Sequence, residues 1–473
     1  MEPRSGPPEK QPPTRRAELG LWDAISVIVG IVVGVSIFQV PPTIFSNVDA
    51  AWKGIGVWCA GGLVALVGAL CYGELATTYP GTGGDYIYLS HAYGPMAGFL
   101  FAWSWLTTVL TGNIAAMAYV FAEYAVRLFH CDPRAAVWFA VAAVVTVTLL
   151  NVMGLKTGKS LQNLLSVAKV LGLVGLLATG LFKGSVASWQ ASQPVDGPGI
   201  GLAMILVLFA YGGWNDSALV TADVQEPRRN MPRALIIGTL LVTVLYVLVN
   251  IAYVQALGFT ALRSAQAPAA DVLGLWLGGK GAAGMSLLVM VSALGAVSGL
   301  VLTGSRLHAR LGADYRIFSW MGRWNSRFNS PARSLVTQAC VSVLLIMGVG
   351  TDGGRNSIDR GLAGIGLSAL PWKKYDGGFN TLVTGTAPVF WSFFLLTGIS
   401  LLVLRRKDRG RERPFTVPLY PVVPLIFVAA CCYMLYASVV YARALCILGV
   451  VLLLIGIPLF AISGRRRGPG DEL

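Results

Sequence analysis

Residues 209–216 read "FAYGGWND". They sit inside the apolar run "GLAMILVLFAYGGWNDSALV" (201–220), which is long enough to cross a bilayer as a helix. Two adjacent glycines followed by Asn and Asp weaken a helix where hydrocarbon tolerates exposed backbone least. A membrane protein keeps such a break only where the freed backbone lines a cavity or binds something.

The surrounding composition supports the membrane reading. Of 473 residues, 55% are hydrophobic and 12% charged, too few polar side chains to coat a soluble core of that size. Twelve apolar runs of roughly 20 residues lie between Leu21 and Ile462, each long enough to span. The expected fold is therefore an all-α polytopic membrane protein with twelve transmembrane helices. The net charge of +14 does not point to nucleic acid, because most of the Lys and Arg fall in alternate connections. They cluster at the N-terminus, at Arg228–Arg233, at Arg306–Arg333, at Arg405–Arg413 and at Arg465–Arg467. Such an excess marks the cytoplasmic side, which puts both termini in the cytoplasm of a cell-membrane protein. No secretory signal is expected ahead of the first span, and the terminal "GDEL" lacks the basic first residue of a retention tail.

A second break lies in span 1 (22–45), at "VGIVVGVSIF" (29–38). Taken alone, Gly30 and Gly34 form a G-x-x-x-G packing motif. Placed midway along spans 1 and 6, the two glycine clusters instead match the interrupted helices of transporters built from inverted repeats. Five spans per repeat make residues 20–185 the first repeat and 198–406 the second. Residues 414–463 then hold two extra helices, after a disordered cytoplasmic 1–19 and before a cytoplasmic tail, 464–473. Half-helix N-termini offer amides to a carboxylate, and freed carbonyls suit an ammonium. An α-amino acid carries both groups on one carbon.

Six stretches carry a family resemblance: 30–38, "GALCYGELATTYPGTGGDYIYL" (68–89), "QNLLSVAKVLGL" (162–173), 209–235, "GAVSGLVLTGSRL" (295–307) and "RPFTVPLYPVVPLIF" (413–427). In this order they resemble the amino acid–polyamine–organocation superfamily, closest in pattern to L-type amino acid transporters and their bacterial relatives. The resemblance implies a leucine-transporter-like fold with helices 1 and 6 unwound midway. It implies that the substrate carboxylate meets the amides of Gly34, Val35 and Ser36, and the amine meets the carbonyls of Val32, Phe209 and Gly212. Phe209 would gate the site, with Gly213, Trp214 and Asn215 shaping the pocket. Two departures stand out: Val35-Ser36 replaces the usual small pair, and Ser298 stands where the family often has Asn.

Lys169 lies mid-span in "LLSVAKVLGLVGLL", where a charge costs ~2.5–3.5 kcal/mol on insertion scales. By the resemblance it occupies the cation site of sodium-coupled relatives, near Ser292 and Ser298, which disfavours a sodium requirement. Asp23 and Arg306, of opposite sign near the inner ends of spans 1 and 8, form a candidate cytoplasmic gate. Asp216 reads as a helix cap rather than a substrate ligand. The polar stretch 351–385 reads as an outer lid or a connector.

No nucleophile–base motif, zinc spacing, phosphate loop or channel filter is visible, and His91, His130 and His308 are scattered. No cofactor or metal is expected. The reading is a secondary transporter of L-amino acids, neutral ones by default, working by sodium-independent exchange or proton symport. Its rivals are a nontransporting amino-acid sensor and a carrier of cationic amino acids or polyamines. The expected partners are the amino acid and membrane lipid. Cys131, in an outer loop, is the one hint of a single-span partner joined by a disulfide.

Overall fold

The computed structural model describes residues 20–80, 83–153, 171–180, 199–213, 224–323, 330–364, 366–372 and 377–464, with a few isolated positions between them. Lys169, Trp214, Asn215 and Asp216 fall outside the described residues, as do the two terminal tails.

Helices account for the regular structure, and no strand occurs among the described residues. The first span is broken into α1 (Leu21–Val32), α2 (Ser36–Gln39) and α3 (Pro41–Ser46). There follow α4 (Ala51–Thr78), the short α5 (Asp85–Tyr93), and α6 (Pro95–Ser104) running through a π-turn into α7 (Leu110–Leu128). Next come α8 (Ala136–Val152), α9 (Leu171–Gly180), α10 (Ile200–Tyr211), α11 (Pro227–Leu257) and α12 (Phe259–Ser264). The chain closes with α13 (Pro268–Asp314), α14 (Ala332–Gly350), α15 (Asp352–Gly364), α16 (Gly378–Lys407), α17 (Val422–Ala442) and α18 (Ala444–Ser463). Among the described residues nine helices are long and apolar enough to cross a membrane. Three shorter apolar ones, at Leu21–Gly30, Leu171–Gly180 and Ile200–Tyr211, fall where spans 1, 5 and 6 were expected.

Two groups stand out among the packed helices, with α16 and α17 lying against members of them. In one, α7, α8, α13 and α14 all touch one another; in the other, α11 packs on α1 and α4, and α4 packs on α10. Small residues set the close approaches in the second group. A Cβ on Gly61 would lie 2.2 Å from a Val207 methyl, and one on Gly62 would lie 2.3 Å from a Thr243 methyl. The G-x-x-x-G at Gly30 and Gly34 does no such packing among the described residues: nothing there lies within 4 Å of a Cβ on Gly30, and one on Gly34 meets only the Val32 carbonyl, at 3.8 Å.

The stretch 351–385 is more than a connector. It folds into α15 and a return, pinned where Asp359 accepts the Leu370 amide at 3.0 Å and the Trp372 indole N–H at 2.9 Å. It then supplies the first turns of α16.

Candidate substrate site at the two helix breaks

Helix α1 stops at an inverse γ-turn. Val33 sits at φ −70°, ψ 76°, and the Gly34 amide donates to the Val32 carbonyl at 2.6 Å. The Gly34 N–H is thus spent on the turn. The amides of Val35 and Ser36, at the start of α2, have no backbone acceptor among the described residues. Both residues are buried. A buried N–H without a partner is costly, which leaves these two amides as donors open to an acceptor at the break.

Helix α10 stops differently. Gly212 turns extended, at φ −56° and ψ 156°, while its amide donates to the Phe209 carbonyl at 3.0 Å. Gly213 then takes φ +109°, a region that side-chain-bearing L-residues rarely adopt. The glycine pair of the opening motif has a conformational reason: the second one makes the turn.

One hydroxyl joins the two breaks. Tyr246, from the middle of α11, donates to the Val32 carbonyl at 2.9 Å and lies 3.3 Å from the Ala210 carbonyl. Its ring packs with Trp58 and Tyr211 at centroid distances of 5.5 and 5.2 Å. Tyr211 in turn donates to the Trp58 carbonyl at 3.1 Å. Two more tyrosines hold carbonyls just beyond the first break: Tyr124 reaches Phe38 at 2.9 Å, and Tyr253 reaches Ile37 at 3.4 Å. An unwound helix leaves acceptors unpaired, and tyrosine supplies an apolar body with a donor at its tip. None of these tyrosines was singled out from the sequence. The readable signal was the seven-residue spacing of Tyr246 and Tyr253, which puts both on one face of α11.

The Phe209 ring meets Phe379 edge-on at 5.8 Å, with the planes at 78°. Phe379 belongs to the 351–385 stretch, so that segment contributes a side chain beside Phe209. Ser292 and Ser298, by contrast, stand six residues apart on α13 and therefore roughly 120° apart around its axis. Ser292 is buried with its hydroxyl unpartnered among the described residues, whereas Ser298 accepts from Asn151 of α8 at 3.3 Å. Asp23 accepts the Gly20 amide at 3.0 Å, as a helix-start carboxylate does, and no ion pair within 4.0 Å joins it to the exposed Arg306.

At the Arg-rich end, Glu74 of α4 is buried and held by Arg405 of α16 through two bonds of 2.6 and 2.5 Å. The Val417 amide donates to it at 2.7 Å, and Arg413 lies 3.6 Å away. Asp85, opening α5, accepts from the Tyr72 hydroxyl at 2.5 Å and the Thr397 hydroxyl at 2.9 Å. Burial pushes its pKa up from 3.8 to about 6, partly offset by those two donors. Among the described residues no three His, Cys, Asp or Glu side chains gather as a metal site. Cys131 is exposed and unpaired, next to the turn that Asp132 caps by accepting the Arg134 amide at 2.7 Å.

A broken first span and a helix end at Gly212–Gly213, tied by one hydroxyl, fit what the sequence comparisons show. A sequence model of the Amino acid permease family matches residues 19–458. The chain belongs to the amino acid permease family. It is 30% identical over 441 residues to the human (Homo sapiens) b(0,+)-type amino acid transporter 1, covering 89% of this chain and 82% of that one. It is 29% identical over 462 residues to the mouse (Mus musculus) large neutral amino acids transporter small subunit 2, covering 95% and 81%. The permease is thus an amino acid transporter and not an enzyme, and its fold is that of a helical multi-pass membrane protein.

Proposed function

We propose that this permease carries L-amino acids, chiefly neutral ones, by alternating access and without sodium. The observation that carries the proposal is the pair of breaks at Val33–Val35 and Gly212–Gly213, joined by Tyr246. The substrate carboxylate sits on the Val35 and Ser36 amides, with Gly34 shaping the turn beside them. The amine meets the carbonyls of Val32, Phe209 and Gly212. Val32 already accepts from Gly34 and Tyr246, so the amine takes its place by displacing one of these donors, whereas Phe209 accepts only from Gly212 among the described residues. Phe209 closes over the substrate against Phe379, and Trp214 and Asn215 line the pocket beyond Gly213. Backbone contacts of this kind recognise what all amino acids share, which supports a broad neutral range.

In the same proposal Lys169 supplies the positive charge that takes over the role of a sodium ion, with Ser292 and Ser298 as the candidate hydroxyls. In this reading the Arg-rich end faces the cytoplasm, residues 20–185 and 198–406 are the inverted repeats, and residues 414–463 form the added helices. Asp23 and Arg306 meet only in a state closed on that side. Because one relative is named a small subunit, Cys131 is the position for a disulfide to a partner.

Flux in proteoliposomes tests the proposal. Labelled neutral amino acids are offered outside vesicles whose interior is empty, alkaline, or loaded with unlabelled amino acid, with and without sodium. Uptake confined to loaded vesicles makes the protein an exchanger. Uptake into empty vesicles driven by a proton gradient makes it a symporter. Dependence on sodium, or binding without flux, defeats the proposal.

A further inference from the structure

Two adjoining cavities open at the Arg-rich end, of ≈ 490 and ≈ 270 Å³, with Arg228, Glu412 and Pro414 in both walls. Arg228, Arg229, Pro232, Arg233 and Ile236 of α11 line the larger one. At about 100° per residue these positions share one arc of roughly 140°, so the first turns of α11 present a single face to the cavity. Phe415 closes another side, fitted against Gly73 of α4, where a Cβ would come within 3.3 Å of its ring.

The charge in this groove is unbalanced. Arg228 pairs with Glu412 at 3.0 Å, but both side chains are largely exposed and such a pair is worth little. Arg229 and Arg233 are exposed and have no ion-pair partner among the described residues. The smaller cavity adds Arg411, oriented by Tyr79, whose ring lies 4.4 Å below the guanidinium, and by the Thr78 carbonyl at 3.1 Å. Immediately along the same face of α11, away from the arginines, stand Leu240 and Val244, each 52% exposed. A free anion would use only the arginines. An amphiphile with a negative head and an apolar chain uses both halves of this surface.

We propose that the groove seats the phosphate headgroup of an anionic phospholipid, with an acyl chain running along Leu240 and Val244. Arg229 and Arg233 hold the phosphate, and Glu412 competes with it for Arg228. The feature is the lipid-facing counterpart of a juxtamembrane basic cluster, with a cavity to give it selectivity.

The test reads lipid retention and stands whether or not the protein transports. The full-length protein is placed in phosphatidylcholine nanodiscs carrying spin-labelled phosphatidylglycerol, and the immobilised fraction is compared with that of spin-labelled phosphatidylcholine. Arg229→Gln with Arg233→Gln lowers the preference for the anionic lipid about tenfold. Arg316→Gln with Arg323→Gln, the same charge change on an exposed loop, leaves it within a factor of two. Glu412→Gln raises it, and that variant decides the matter should the double arginine variant fail to fold. Equal losses in the two double variants, or no gain in Glu412→Gln, overturn the proposal in favour of general surface charge. Displacement of the lipid by excess inorganic phosphate overturns it in favour of a free-anion site.

Discussion

The two helix breaks lie in apolar spans, and opposite means produce them. The first, at Val33–Val35, is a γ-turn that any L-residue can make, and a Cβ on Gly34 would meet only the Val32 carbonyl, at an ordinary 3.8 Å, among the described residues. The second depends on Gly213 at φ +109°. The first break is therefore maintained from outside, by hydroxyls from α7 and α11 that take up its carbonyls. The second is written into its own residues. A glycine cluster in a membrane helix can thus mark a break for two reasons, and only one of them lies in the glycine's conformational freedom.

The comparison can be sharpened by a series of variants read against one global destabiliser. Glu74→Gln breaks a buried ion pair far from both breaks and should cost 3–5 kcal/mol, read as an early loss of the folded form on heating in detergent. Gly213→Ala comes next: the strain of about 1–3 kcal/mol falls on the second break alone, and uptake should drop at least tenfold. Wild-type uptake in Gly213→Ala would mean that the second break is not built as described. Tyr246→Phe removes the hydroxyl the two breaks share and takes a buried donor away from the Val32 and Ala210 carbonyls. It should cost about 1–2 kcal/mol and weaken substrate binding more than it slows saturated transport. Gly34→Ala is the counter-test. Thermal stability should stay within about 0.5 kcal/mol of wild type, since space is available and the turn tolerates a Cβ. A collapse as deep as that of Gly213→Ala would erase the distinction between the breaks.

The smallest effect lies off the breaks, at Asp85. Its pKa in the folded protein, about 6, stands above the ordinary 3.8, so the fold prefers the protonated carboxyl. That preference is fully present below 3.8 and is lost as pH rises through 6. Relative to Asp85→Asn, the wild type should gain about 1 kcal/mol on going from pH 7 to pH 5, seen as a rise in melting temperature that the variant lacks. A parallel shift in both proteins would assign the pH response to other groups.

Much of the site was legible because its features are local. Gly-Gly within an apolar run announces a break, and the alternation of basic loops announces the order of crossings. The motif order announces the family. The amide donors at Val35 and Ser36 follow from where a helix restarts. Other expectations shifted once neighbours were known. Gly30 and Gly34 spell a packing motif yet meet no neighbouring helix among the described residues, while Gly61 and Gly62 do the close packing. Gly34 lends the γ-turn its amide rather than offering it outward.

By itself, the sequence determined the all-helical, apolar character of the spans, the end at which positive charge gathers, and the places where helices 1 and 6 give way. Each depends on composition or spacing within some 20 residues, the length over which the bilayer and helix geometry act. Tertiary structure alone decided what holds the first break open. Tyr246 is 214 residues from the carbonyl it caps, and Arg405 is 331 residues from Glu74. Phe379 meets Phe209 across a comparable gap in the chain. Contacts of that reach leave no periodicity in the sequence, because they are fixed by how whole helices pack and not by the residues between them.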